Sequence, residues 1–200
     1  MPRDKSITHE KVIRAMREEF LTHGYEKASL NRISAKVGIT TAGLYRHFRN
    51  KEDMFAYLVQ DTVNAFHAMA ARSENQMETD LDYDPFNEDW ATFWSSFIAE
   101  HAEGLKLLLC RSQGSRFETF EEELIALEVE GNKTYATALE KAGKKVRLVS
   151  DLEWHTLAAT YVHLVVEAVR RDMTLEETQE HLRFVGRLLY PGWKQLFAIE

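Results

Sequence analysis

Residues 38–53, GITTAGLYRHFRNKED, gather side chains suited to touching a nucleic acid. The hydroxyls of Thr40 and Thr41 can hydrogen-bond base edges, and their methyls can meet thymine methyls. Ala42 and Gly43 add almost no side chain, so a backbone carrying them can come close to a base. Tyr45, Arg46, His47 and Lys51 follow, with groups that reach phosphate oxygens; such contacts position a protein on a duplex without reading its sequence. Glycine inside a helix costs about 1 kcal/mol against alanine, and threonine is a weak helix former. A helix that opens this way gives up stability for slimness. A second constellation is His163 and Glu167, one turn apart, with His155 two turns earlier. These types serve metal binding or proton transfer. No second pair supplies the remaining ligands, so a polar wall or an ordinary ion pair is expected there, with no metal, cofactor or catalytic centre.

The elements that must position residues 38–53 are legible nearby. Val12, Ile13, Met16, Phe20 and Leu21 recur at helical spacing and predict a helix over 8–23, ended by Gly24. Ser29 is a natural N-cap for a second helix that stops at Gly38, with Leu30, Ile33, Ser34 and Val37 inward. Thr40 caps a third helix over 41–48, with Leu44 and Phe48 inward. Its exposed backbone amides favour a nearby phosphate. Asn50 and Asp53 form a capping-box start for a fourth helix reaching about residue 75. A helix, a glycine turn and a second helix of this length match DNA-reading geometry, in which the second helix offers its N-terminal end to the major groove.

Charge supports that partner. Residues 1–51 hold eleven Lys/Arg against five Asp/Glu, a net of +6, in a chain of formal charge −7, so the remainder carries −13. A basic head on an acidic body suits a polyanion. No apolar run is long enough for a membrane span, the opening MPRDKSITHEKVIR has no signal-peptide core, and the single Cys110 excludes an internal disulfide framework. A cytoplasmic, all-α protein is expected, with a helix-turn-helix domain at 1–53 and a helical body at 54–200.

The stretch FLTHGYEKASLNRISAKVGITTAGLYRHFRNKEDMF resembles the tetracycline-repressor (TetR/AcrR) family of bacterial transcriptional regulators. The family's pattern appears as Phe20, Gly24, Ser29, Ile33-Ser34, Gly38, Leu44-Tyr45-Arg46-His47-Phe48 and Lys51. Ser34 departs from the family's usual alanine, and Ala42-Gly43 from its usual glycine and small residue. The resemblance covers about the first 55 residues. It implies a homodimer whose two heads enter the major grooves of a roughly palindromic double-stranded DNA operator. By position, Ser29, Tyr45, His47 and Lys51 would hold phosphates, while Asn31, Thr41, Ala42, Gly43 and Arg46 would face bases. It also implies a body that binds a small-molecule effector beneath the fourth helix and forms the dimer.

In that body, Trp90, Phe93, Trp94, Phe97 and His101 share one helix, and Phe117, Phe120 and Tyr135 another over 116–142, where Gly131 marks a site for a kink. With Phe66, Trp154 and Tyr161 they are the candidates for lining an effector pocket, although aromatics at helical spacing are ordinarily core. Four tryptophans among few polar groups suit an apolar or aromatic ligand. Helices over 151–171 and 175–190 are the expected dimer seam, through Leu157, Ala158, Tyr161, Val162, Val165 and Val169 on one and Leu182, Val185, Leu188 and Leu189 on the other. Pro191-Gly192 is expected to split off a last helix. The leading reading is a repressor released from DNA by a small effector, and not an enzyme. The alternative is a DNA-binding activator or adaptor controlled by a protein partner; a third, an enzyme around His155, His163 and Glu167, leaves the basic head unexplained.

Overall fold

The computed structural model describes residues 5–82, 84–87 and 89–197, with the side chains of residues 5–7 and 74 left aside. The first four residues, part of the polar opening and of the charge tally, lie outside that range. Every regular element among the described residues is a helix: α1 (Lys5–Lys27), α2 (Leu30–Val37), α3 (Thr41–Leu44), α4 (Lys51–Thr79), α5 (Trp90–Glu100), α6 (Ala102–Cys110), α7 (Phe120–Lys141), α8 (Asp151–Arg170) and α9 (Leu175–Leu196). The chain forms two compact units. One holds the described residues up to Asn64 with Glu103–Thr119; the other holds Ala65–Ala102 and the residues from Phe120 onward. The sequence reading drew its boundary after residue 53, whereas by contact α6 and the turn behind it group with the head.

In the first unit Val12, Met16, Phe20, Ile33, Leu44, Met54, Phe55 and Val59 are buried, so the predicted stripes of the first four helices converge on one core. α1 breaks at Gly24, whose φ of 73° and ψ of 167° suit glycine alone. There the Arg111 carbonyl accepts from the Tyr25 N–H at 2.7 Å, and the Arg111 side chain donates to the Leu21 carbonyl. Phe20 and Tyr25 pack against Phe55, and Phe117 reaches the same ring at 6.1 Å.

The second unit packs α5 on α9, α9 on α8 and α8 on α7. α8 and α9 both begin with a complete capping box, Ser150 with Glu153 and Thr174 with Glu177. Met77, Tyr135, Leu139, Trp154, Trp193 and Phe197 form one core cluster.

Three elements differ from expectation. The third helix is one turn long: after Leu44 the amides of Arg46 and His47 bond three residues back instead of four, and the chain tightens into turns. α7 runs unbroken through Gly131, because that glycine serves packing; a Cβ there would sit 3.3 Å from the Met77 sulfur. α9 runs through Pro191 without splitting. Trp193 explains this: its ring stacks on Tyr135 at 5.5 Å and its Nε1 donates to Asn132 Oδ1 at 3.1 Å. Burying Trp193 and Phe197 gains about 2–3 kcal/mol each, enough to offset roughly 3 kcal/mol for an internal proline.

Candidate functional site

Two places in the molecule can meet a partner: the exposed end of the head, and a cavity inside the second unit.

At the head, Ser29 accepts from the Arg32 N–H and caps α2, and Gly38 ends it with φ 72° and ψ 37°. Glu19 holds the start of α2 from below. Its Oε1 accepts from the Ser29 N–H at 2.8 Å and from Arg32 Nε at 2.9 Å. Burial opposes its ionisation, but these bonds and the Arg32 charge outweigh burial and keep the carboxyl below its usual range. Thr40 Oγ1 accepts from the Gly43 N–H at 3.0 Å, so that amide is spent on the cap and is not offered to a phosphate. Thr41 Oγ1 donates to Asn31 Oδ1 at 3.0 Å, which couples two of the expected base-facing residues across the turn. Ser34, the departure from the family's alanine, satisfies its hydroxyl on the Asn31 carbonyl.

Ala42, Tyr45 and Arg46 are exposed and Thr41, Gly43 and His47 half-buried, all on the short stretch that includes α3. Gly43 has an ordinary backbone conformation, and a Cβ there would meet nothing closer than 3.5 Å. The fold does not require that glycine. His47 stacks on His9 and faces it Nδ1 to Nδ1 at 3.3 Å. Burial, then the His9 and Arg46 charges, pull the His47 imidazole below its usual value, so it is neutral at pH 7 in the free protein. Lys51 turns back: its Nζ donates to the Glu26 carbonyl at 3.0 Å and lies over the Tyr25 ring. Burial pulls its pKa down, against the pull of Glu19 and Glu26. His9 was not singled out from the sequence; it stands 38 positions from His47 and carries no local signal.

The second unit holds a partly open cavity of about 340 Å³. Its walls come from the C-terminal part of α4, residues 84–87 and 89, α5, α7, α8 and α9. Of the expected aromatic lining, Phe66, Trp90, Phe93, Trp94 and Tyr161 reach it. Trp90 Nε1 donates to the Tyr161 hydroxyl at 3.3 Å. The others lie elsewhere. Phe97 and Phe120 are buried edge-on to Phe66, with His101 against Phe97. Tyr135 and Trp154 belong to the Trp193 cluster, and Phe117 to the first unit.

Glu128 was missed. It lines the cavity, and its Oε1 accepts from Asn132 Nδ2 at 3.0 Å. Burial pushes its carboxyl up to about 7, against the Asn132 bond. A signal was present in the sequence: Leu124, Glu128, Gly131 and Tyr135 fall on one inner stripe, and an acid there breaks the apolar pattern. His163 and Glu167 do not act together. His163 faces Glu121, and Glu167 accepts from Arg171. Among the described residues no group of three His, Cys, Asp or Glu could hold a metal ion, and no helix is long and apolar enough to cross a membrane.

Comparison with known proteins bears on the head and on the fold. Residues 12–58 match the model of the family described as bacterial regulatory proteins, tetR family. The chain is 28% identical over 82 residues to an HTH-type transcriptional regulator of Staphylococcus aureus, covering 41% of this chain and 44% of that one. It is 27% identical over 86 residues to the HTH-type transcriptional repressor AcnR of Corynebacterium diphtheriae, covering 42% and 45%. It thus spans under half the length of these curated relatives. In fold it is similar to the transcriptional regulator FadR of Bacillus subtilis, solved in complex with stearoyl-CoA: TM-score 0.53, 18% identity, covering 92% of this chain and 98% of that one. Through the turn and into α4, the head of this chain is that of the tetR family of bacterial regulatory proteins, whose model it matches over residues 12–58.

Proposed function

We propose that this protein is a ligand-responsive, sequence-specific transcriptional regulator: a homodimeric repressor, acting in the cytoplasm, that leaves a palindromic operator when a small apolar or aromatic effector fills the cavity of the second unit. The observation that carries the DNA-reading part is Gly43. Its cost of about 1 kcal/mol in a helix has no counterpart inside the protein, where a methyl would fit. It does have one if the backbone must lie against base edges, flanked by Thr41, Ala42 and Arg46. Tyr45 and a neutral, N–H-donating His47 then hold phosphates on either side. Ser29 and Lys51 hold the local backbone, one as a cap and the other as a tether to Glu26.

The cavity supports a small-molecule effector over control by a protein partner alone. α4 is one continuous helix from Lys51, just behind the reading residues, to the cavity wall at Met77. An effector that binds one conformation better shifts the population by no more than its difference in affinity.

A gel shift on DNA upstream of the protein's own and neighbouring genes tests the reading. Replacing Tyr45 and His47 together by alanine should weaken binding at least tenfold. Gly43→Ala should weaken it several-fold while leaving the melting temperature unchanged or higher. Undiminished DNA affinity in both variants would refute the assignment.

A further inference from the structure

We propose that the effector is a cation: an aromatic or alkyl-bearing amine or quaternary ammonium whose positive charge lies against Glu128. The proposal rests on reading the cavity as the effector site and adds the sign of the ligand's charge. Three features of the cavity lead to it.

The first is the charge of the walls. Among the described residues, Asp84, Asp89, Glu128 and Glu130 line the cavity and no Lys, Arg or His does. An anionic ligand, a carboxylate or a phosphate, would enter a negative field with no counter-charge. In the interior that repulsion is screened far less than at a surface.

The second is the state of Glu128 itself. Asp89 and Glu130 are exposed, whereas Glu128 is half-buried and lines the cavity, where burial works against its ionisation. Asn132 serves Oε1 and cannot serve more: its amide also donates to the Glu128 backbone carbonyl, and its oxygen accepts from Trp193. Among the described residues no Lys, Arg or His pairs with this carboxyl. Among the described residues no hydrogen bond to its second oxygen is seen. A half-buried carboxylate held by a single neutral amide is costly to ionise, and a cation in the cavity would offset that cost.

The third is the rest of the wall. The faces and edges of Phe66, Trp90, Phe93, Trp94 and Tyr161 surround the space. Aromatic faces attract cations, most strongly where water is excluded. A neutral aromatic ligand would use these rings and leave Glu128 unserved; a hydrophobic cation uses both.

The test compares benzyltrimethylammonium with neopentylbenzene, its uncharged isostere with carbon in place of nitrogen. Binding to the full chain is read by quenching of tryptophan fluorescence, since Trp90, Trp94 and Trp193 line the cavity. Glu128→Gln keeps an oxygen for Asn132 and removes the charge. It should weaken the ammonium at least tenfold and leave the isostere within twofold. Glu128→Asp, which keeps the charge on a shorter arm, should retain part of the ammonium affinity. Equal changes for the two probes, no change for either, or no ammonium binding at millimolar concentration would overturn the proposal. An operator gel shift run beside it separates the two readings. If the isostere releases DNA as well as the ammonium does and Glu128→Gln alters neither, the effector site stands and the charge assignment falls. If the ammonium binds through Glu128 without changing DNA affinity, the charge assignment stands and the control function falls.

Discussion

Glu128 is an acid on the inner stripe of α7, four residues after Leu124 and three before Gly131. Its shifted ionisation makes it a measurable liability to stability. The folded-state value is raised to about 7 from an ordinary 4.5. Below pH 4.5 the carboxyl is protonated in both folded and unfolded chains, and its burial carries no charge penalty. Between 4.5 and 7 the unfolded chain ionises first, so stability falls as pH rises; above 7 both states are ionised and the loss levels off. Glu128→Gln should therefore match the wild type in urea unfolding near pH 4.5 and exceed it by about 2–3 kcal/mol at pH 8. A difference that does not vary with pH would show that the carboxyl is not desolvated. The head teaches a similar lesson about single residues. The types at Tyr45, His47 and Lys51 were enough to suggest phosphate contacts. Whether each points outward depended on neighbours far away in sequence, His9 for His47 and the Glu26 carbonyl for Lys51.

At the scale of elements, local signals served well wherever the decisive interaction lay within one turn. Ser29, Gly38, Thr40 and Asn50 cap or end helices where their types predict. They failed where a distant element decided the outcome. Gly131 read as a break, yet its missing side chain makes room for Met77. Pro191 read as a stop, yet the burial of Trp193 and Phe197 carries α9 past it. Gly104 is the tightest such contact. A Cβ on it would fall 2.0 Å from Thr62 Oγ1 and 2.9 Å from Thr62 Cβ, so α6 and α4 meet there with no spare room. Gly104→Ala should destabilise the protein by about 2–3 kcal/mol, measured by denaturant unfolding. Adding Thr62→Ala should recover part of that loss, since the two changes share one contact. Full stability of the single variant would mean that α6 can shift freely.

For the whole molecule, the proposed function needs two heads and therefore two chains. The stripes that the sequence offered as a seam are largely used within one chain: Ala158, Val162, Val165 and Val169 on α8, and Leu182 and Val185 on α9, are buried. The apolar side chains left outside on these helices are Leu152 on α8 and Leu175, Phe184 and Leu188 on α9; Phe184 and Leu188 are about half exposed and lie one turn apart. Sedimentation equilibrium at micromolar concentration should give the mass of two chains. Phe184→Glu with Leu188→Glu should give the mass of one, with helical circular dichroism unchanged. A wild-type mass of one chain would remove the dimer.

By itself the sequence determined the all-helical class, the caps and turn of the head, the slim, side-chain-poor stretch at Thr41, Ala42 and Gly43, and the charge contrast between head and body. All of these depend on interactions within a few residues or on composition, which sequence order preserves. Tertiary structure alone decided which aromatics line a cavity and which fill the core, that an acid on α7 faces that cavity, and which faces of α8 and α9 remain open. Those outcomes depend on which helix lies against which, and helical spacing shows that a stripe is apolar without showing what it meets.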